Sequence, residues 1–282
     1  MRIAVIGAHG QLGTALVTRL GDDAVPLTRA EIDITDAASV ASALDSTAAD
    51  VVINTAAYNL VDRAEEEPSQ ALAVNACGPR NLAAWCASNN TRLLHISTDY
   101  VFGLDTTRET PYRESDLPGP LSVYAASKLA GEHFVSAECS ESCIVRTCGL
   151  YGRTPTGKGN FVSTMLRLGR ERTELRVVAD QRCTPTSVDD LADGLLQILH
   201  TECRGLIHFT NSGSTTWYEL TREIFRLAEI ETNVHAITTA EYGAKARRPH
   251  YSVLHTGRFQ QTTGHQPPGW RDALARYLVA EG

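Results

Sequence analysis

Tyr124 and Lys128 stand four residues apart in Ser122-Val123-Tyr124-Ala125-Ala126-Ser127-Lys128. On a helix that spacing puts both on one face. An ammonium beside a phenol stabilises the phenolate, lowers the tyrosine pKa and yields a proton donor and acceptor usable near neutral pH. Many helices carry the same pair by chance on a solvated face, so its meaning rests on the residues around it. Thr98, in Ser97-Thr98-Asp99-Tyr100-Val101-Phe102, is the first of these. If Tyr124 protonates a carbonyl, the Thr98 hydroxyl could donate a second hydrogen bond and orient it. A Ser-Thr-Asp turn is also an ordinary loop solution.

A second group of residues has the pattern of a dinucleotide site. Gly7-Ala8-His9-Gly10-Gln11-Leu12-Gly13 follows the apolar run Ile3 to Ile6, with glycines spaced G-x-x-G-x-x-G. At a strand-to-helix turn such glycines let the backbone approach a pyrophosphate, which the helix N-terminus attracts; a purely structural turn is the alternative. Ala24 to Leu27 ends at Thr28-Arg29. An acid there would bond the ribose 2′-hydroxyl of NAD, whereas Arg29 suits the 2′-phosphate of NADP. The residues therefore lean to NADPH, with NADH tolerated, unless Arg29 is only a surface cation. Asp33 and Ile34 could approach the adenine end, and Asp33 equally suits a turn or cap. Ala56, Ala57 and Tyr58 follow another apolar run, and the alanines either leave room for the ribose and nicotinamide or serve tight packing. Ser97 falls on the same side as Thr98. The acidic run Asp62, Glu65, Glu66 and Glu67 reads as a solvated helix face without a catalytic role, and Asn75 as a buried polar support.

These residues need particular elements to hold them. Ser122 is a good N-cap for a helix over Val123 to Ala137, and Pro118-Gly119-Pro120 closes the preceding loop. Short apolar runs at Ile3 to Ile6, Ala24 to Leu27, Asp50 to Asn54, Leu93 to Ile96 and Ile144 to Thr147 alternate with helical stretches. One of these stretches is Gln70 to Ala87. That alternation predicts an α/β fold of the Rossmann type, with a doubly wound, mostly parallel sheet and ligands beyond the carboxyl ends of its strands. The second half is less regular. Gly157-Lys158-Gly159-Asn160-Phe161 opens a helix through about Arg170, with Asn160 as its cap or as a hydrogen-bonding contact for a substrate. Leu175 to Ala179 reads as a strand, as does Thr184 to Val188. The latter, the helix Asp189 to His200 and Leu206 to Thr210 are expected to rejoin the cofactor domain. The expected division is 1–148 and about 184–210 for that domain, with about 149–183 and 211–282 as a smaller, discontinuous C-terminal substrate lobe. Thr216-Trp217 starts a lobe helix through Leu227, with Trp217 as core. Arg247-Arg248-Pro249-His250 is a basic spot able to grip a nucleotide diphosphate, or else an exposed turn.

The chain has 282 residues, a formal net charge of −7 and 21% charged residues, which argues against a general nucleic-acid binder. An anionic ligand must then be held by local arginines or backbone amides. Its seven cysteines are odd in number, scattered and without a C-x-x-C pair, as expected of spectator thiols in a reducing cytoplasm. Neither a leader peptide nor a membrane-spanning run is expected.

Taken together, the motifs resemble the extended short-chain dehydrogenases/reductases, and within them the dTDP-4-dehydrorhamnose reductases. The resemblance covers nearly the whole length. It rests on the glycine turn, Ala56-Ala57-Tyr58-Asn59-Leu60-Val61-Asp62, Ser97 to Phe102 and Val123-Tyr124 to Glu132. Asp180-Gln181-Arg182-Cys183-Thr184-Pro185-Thr186, Thr215-Thr216-Trp217 and Arg247-Arg248-Pro249-His250 are more particular to the reductase. It implies NADPH-dependent reduction of the C4 ketone of dTDP-4-dehydro-L-rhamnose to dTDP-L-rhamnose. Tyr124 would be the proton donor, Lys128 would tune it and hold the nicotinamide ribose, and Thr98 would orient the ketone. Gly7, Gly10, Gln11 and Leu12 would hold the pyrophosphate, Asp33 and Ile34 the adenosine, and Ala56, Ala57 and Tyr58 the nicotinamide half. Asp99 and Arg248 would contact the substrate. Gly149 stands where the family pattern has a substrate-contacting tryptophan, which opens the sugar's identity to talose- or streptose-type relatives. A non-catalytic regulatory subunit of the same fold is the reading from another class. Some members bind Mg²⁺ through glutamates at a dimer interface; Asp189 is the matching position found here, so a homodimer and a magnesium ion are compatible with the resemblance.

Overall fold

The computed structural model describes residues 1–157 and 159–281; Lys158, part of the expected helix-opening segment, lies outside the described residues. The first half lays down β1 (Ile3–Ile6), α1 (Gln11–Leu20), β2 (Ala24–Leu27), α2 (Ala37–Asp45) and β3 (Val51–Asn54). It continues with α3 (Val61–Ala64), α4 (Pro68–Leu72), α5 (Gly78–Ser88), β4 (Arg92–Thr98), α6 (Val123–Glu138) and β5 (Ser142–Thr147). β1, β3 and β5 are buried along their whole length and β4 in all but its first residue. Such runs suit strands covered on both faces by helices.

The chain then passes through β6 (Leu150–Tyr151), α7 (Phe161–Glu171), β7 (Glu174–Val178), β8 (Arg182–Cys183), β9 (Thr186–Ser187) and α8 (Val188–Leu199). It closes with β10 (Gly205–His208), β11 (Thr215–Thr216), α9 (Trp217–Leu227), β12 (Asn233–Ile237), two short helices and a longer one over Trp270–Glu281. Among the described residues the central sheet has six strands in the order β10-β5-β4-β3-β1-β2, and every pairing is parallel. The chain reverses direction across the sheet between β1 and β3, and that switch opens a crevice at the carboxyl ends. One apolar cluster lies under α1 and α8, another under α2, α5 and α6. The smaller lobe has its own core around Leu220, Ile224 and Phe225 and a two-stranded parallel ribbon of β7 and β12.

Two segments depart from the expected pattern. Thr184 to Val188 does not join the central sheet: only Thr186–Ser187 is a strand, paired with β6. Pro185 has no N–H to give to a ladder, which keeps the pairing short. The helix expected over Gln70 to Ala87 is α4 and α5 joined by a π-turn at Ala73–Cys77. Pro79 cannot donate to the carbonyl of Asn75, four residues back, so the ladder slips there. The freed Asn75 carbonyl faces Gly131 of α6, where a Cβ would lie 2.1 Å from that oxygen.

Candidate active site

The glycine turn is built for close approach. Gly7 has φ +81°, and a Cβ on Gly13 would meet the Gly7 carbonyl at 2.2 Å. Gly10 caps α1 without any side-chain hydrogen bond, and the first turn of the helix carries no acid. The amides of Gln11 and Leu12 therefore begin α1 with its positive end free for an anion. The Leu12 side chain itself is packed in the core under α1. Along the strand ends runs a cleft of about 1460 Å³, lined by Gly7, Gly10, Gln11, Arg29, Asp33, Ile34, Ala56, Ala57 and Tyr58. This cleft fits a dinucleotide: an amide cradle that side chains would fill at one end, and a cation, Arg29, beyond β2. Asp33 is bound to the backbone and hydroxyl of Thr35, which holds its carboxyl below the usual range.

The helix α6, which carries Tyr124 and Lys128, is not among the elements that line this cleft; it adjoins the Tyr58 side of it through Asn75. Ser122 accepts from Ala125 N at 3.2 Å, and the Glu65 carboxylate accepts from Val123 N at 2.9 Å, so the helix that bears Tyr124 is capped twice. Asn75, fully buried, receives the Tyr58 amide at 2.8 Å and donates to the Tyr58 carbonyl and the Ser127 hydroxyl. One amide side chain thus ties the loop after β3 to the helix of the Tyr–Lys pair. Lys128 is 2% exposed and donates to the Ile96 carbonyl at 2.7 Å. Burial pushes its ammonium down to about 8, with Glu132 pulling the other way.

The phenol and its neighbours differ from the expected arrangement in one respect. Burial pushes Tyr124 up to about 12, and the hydrogen bond with Thr98 opposes the rise. The partner that favours its ionised form is thus the threonine, while the Lys128 ammonium donates to Ile96. Thr98 ends β4, and its hydroxyl also reaches Asp99 at 3.2 Å. Asp99 is 1% exposed and receives the Ser252 hydroxyl at 2.5 Å as well as the Cys148 thiol; burial raises its carboxyl to about 6. Its carboxylate is therefore committed inside the protein rather than presented to the cleft.

Several other expected contacts are engaged elsewhere. Ser97 donates to Glu132 at 2.5 Å, within a buried ion pair that Glu132 makes with Arg146 at 2.6 Å. Arg248 is forked onto Asp62 at 3.0 and 2.8 Å, so neither is a loose surface charge. Asn160 accepts from Ser163 N as the cap of α7, and donates to Gln11 Oε1 at 3.1 Å. Thr154 reaches the His9 carbonyl at 2.8 Å, so the segment before α7 crosses over the glycine turn at two points. Gly149 has φ +53°, and the Trp217 ring lies 3.4 Å from where its Cβ would be. Trp217 stacks at a tilt on Phe161, with ring centres 4.7 Å apart, and its indole N–H reaches Gln181. The space beside Gly149 is thus lined by an aromatic from α9.

The acidic run after Val61 is not a merely solvated face. Asp62 holds Arg248 and the Ala246 amide, Glu65 caps α6, Glu66 pairs with Lys245, and Glu67 receives the Tyr58 hydroxyl. Among the described residues no group of three or more His, Cys, Asp or Glu could hold a metal ion, and Asp189 is paired with Arg19 at 3.0 Å. No described helix is long and apolar enough to cross a membrane.

The family model of the RmlD substrate binding domain matches residues 1–281. A dTDP-4-dehydrorhamnose reductase of Sinorhizobium fredii is 38% identical over 99% of this chain and 97% of the relative. A probable dTDP-4,6-dihydroxy-2-methyloxan-3-one 4-ketoreductase of Streptomyces antibioticus is 39% identical over 97% of this chain and 93% of its own length. The crystal structure of dTDP-4-dehydrorhamnose reductase from Bacillus anthracis in complex with NADP superposes with a TM-score of 0.94. It shares 39% identity, and the match covers 99% of each chain.

Proposed function

The chain belongs to the RmlD substrate binding domain family, and from that premise we propose that it reduces the C4 ketone of dTDP-4-dehydro-L-rhamnose to dTDP-L-rhamnose with NADPH. The observation that carries the reading is the hydrogen bond between Tyr124 and Thr98 at the end of β4, with the Lys128 ammonium held two residues back at Ile96, beside a glycine-lined cleft sized for a dinucleotide. NADPH, when bound, supplies the hydride for the carbonyl carbon. The protein's part is the proton and the geometry. Tyr124 gives its phenolic proton to the ketone oxygen, and burial keeps that proton on the phenol beforehand. Thr98 shares a hydrogen bond with that phenol, so the ketone oxygen can be placed between two hydroxyls. Lys128 keeps a positive charge under the site near pH 7, while the amides of Gln11 and Leu12 and the cation of Arg29 address the two phosphate ends.

The test is NADPH consumption by the purified protein with dTDP-4-dehydro-L-rhamnose, the product being identified by NMR. Oxidation of NADPH with appearance of dTDP-L-rhamnose is expected. A second reading, another dTDP-4-keto-6-deoxy sugar, is favoured by Gly149, which leaves the lining of that wall to Trp217. It would appear as a different product or as turnover only with another ketone. A bound cofactor with no oxidation of any such sugar would sink the reductase and leave a regulatory subunit.

A further inference from the structure

We propose that Tyr100 is a positioning residue for Tyr124, and that a chain of contacts from Asp62 through Arg248 fixes Tyr100 in turn. The inference rests on the reading of Tyr124 as the proton donor. Tyr100 lies in the 3-10 turn Asp99–Val101, directly after Thr98. Its ring meets the Tyr124 ring edge-on, with centres 6.0 Å apart and planes at 86°. Edge-to-face packing of this kind fixes the orientation of the ring it touches. The Tyr100 amide donates to the Thr98 hydroxyl at 3.2 Å, so the same residue contacts both hydroxyl-bearing partners of the donor site. The far end of Tyr100 is fixed as well: its hydroxyl is hydrogen-bonded to the Arg248 guanidinium, which is forked onto Asp62 of α3. Arg248 belongs to the segment that returns from the smaller lobe, and Asp62 to the helix after the Ala56-Ala57-Tyr58 loop. Lys128, bound to the Ile96 carbonyl, holds neither ring. The orientation of the acid is thereby linked to the contact between cofactor side and lobe.

The test is a double-mutant cycle of Tyr100→Phe and Asp62→Asn, read by kcat, by KM for NADPH and by NMR of ¹³C-tyrosine-labelled protein. Tyr100→Phe keeps the ring and removes only the hydroxyl. Tyr124 is assigned among the nine tyrosines by its absence in Tyr124→Phe. Each single variant should lower kcat about tenfold, since small misplacements of a reacting group are amplified in rate. KM for NADPH should stay within about twofold, and the double variant should be no slower than either single one. The Tyr124 ring signals should shift alike in both variants. Unchanged kcat in both variants, or additive losses, would overturn the proposal. The NMR arm needs no substrate: stationary Tyr124 signals refute the positioning role even if the wild-type protein reduces no keto sugar, an outcome that would refute the proposed function separately.

Discussion

Lys128 is an expensive residue to keep. Its ammonium is almost fully buried and donates to the Ile96 carbonyl, and burial pulls it from 10.5 down to about 8 because the folded chain solvates that charge poorly. The shift corresponds to about 3 kcal/mol of lost stability when the lysine is charged in both states. Methionine has a similar shape and no charge, and losing the Ile96 bond offsets about 1 kcal/mol of the gain. Lys128→Met should therefore melt higher than the wild type at pH 7 while losing most of its turnover. Because the folded-state pKa is lowered, the wild type recovers stability as pH rises from about 8 to 10.5, where only the unfolded chain still holds the proton. The advantage of the variant should shrink across that window in thermal melts. Tyr124→Phe is expected to abolish turnover while leaving NADPH binding near the wild-type level by fluorescence titration; a variant retaining its rate would remove Tyr124 as the acid. These residues were legible in the sequence because their chemistry needs given types at short spacing. Their partners were not: Ser252 is 153 residues from Asp99, and Arg248 is 186 from Asp62, separations that no local pattern records.

At the scale of elements, α6 is positioned from outside as much as by its own sequence. The cap Ser122 and the start at Val123 were readable from the chain. The Glu65 carboxylate on the Val123 amide was hidden in a run of acids whose spacing suggested only solvation. Glu65→Ala should lower stability by about 1 kcal/mol in urea unfolding, the usual size of a lost cap at the positive end of a helix. Glu66→Ala, which removes an exposed pair with Lys245, should change it by no more than a few tenths. Equal effects from both would show that the Glu65 contact is no more than another surface charge. Gly131→Ala is a harsher probe, because its methyl would run into the Asn75 carbonyl of the π-turn, which is backbone and cannot swing away. A loss of about 1–3 kcal/mol is expected, with a fall in NADPH affinity as Asn75 loses its hold on Tyr58. The π-turn could not be read from helical periodicity, since one slipped hydrogen bond leaves the apolar pattern nearly intact.

Across the whole molecule, the parallel sheet follows from the alternation of apolar runs and the glycine cradle from the spacing of its glycines. The short β6–β9 and β8–β11 pairs, which join distant pieces of the second half, do not. Seven thiols are distributed through this body, and only Cys77 is exposed. One equivalent of an aromatic disulfide reagent should therefore react promptly with the native protein and seven in guanidinium. More than one fast thiol would mean that the packing around the other six opens readily.

The outer strand β10 has a further consequence for how the polypeptide is made. β5 is complete at Thr147, but its neighbour begins only at Gly205, after α7 and α8 have been synthesised. At about 5–20 residues per second, a nascent chain would carry an open, apolar sheet edge for several seconds on the ribosome. An unpaired edge of that kind is a template for association with other chains. A product truncated before residue 205 should accumulate as aggregate, whereas one ending just after β10 should hold all six strands, with β5 covered, and stay dispersed longer.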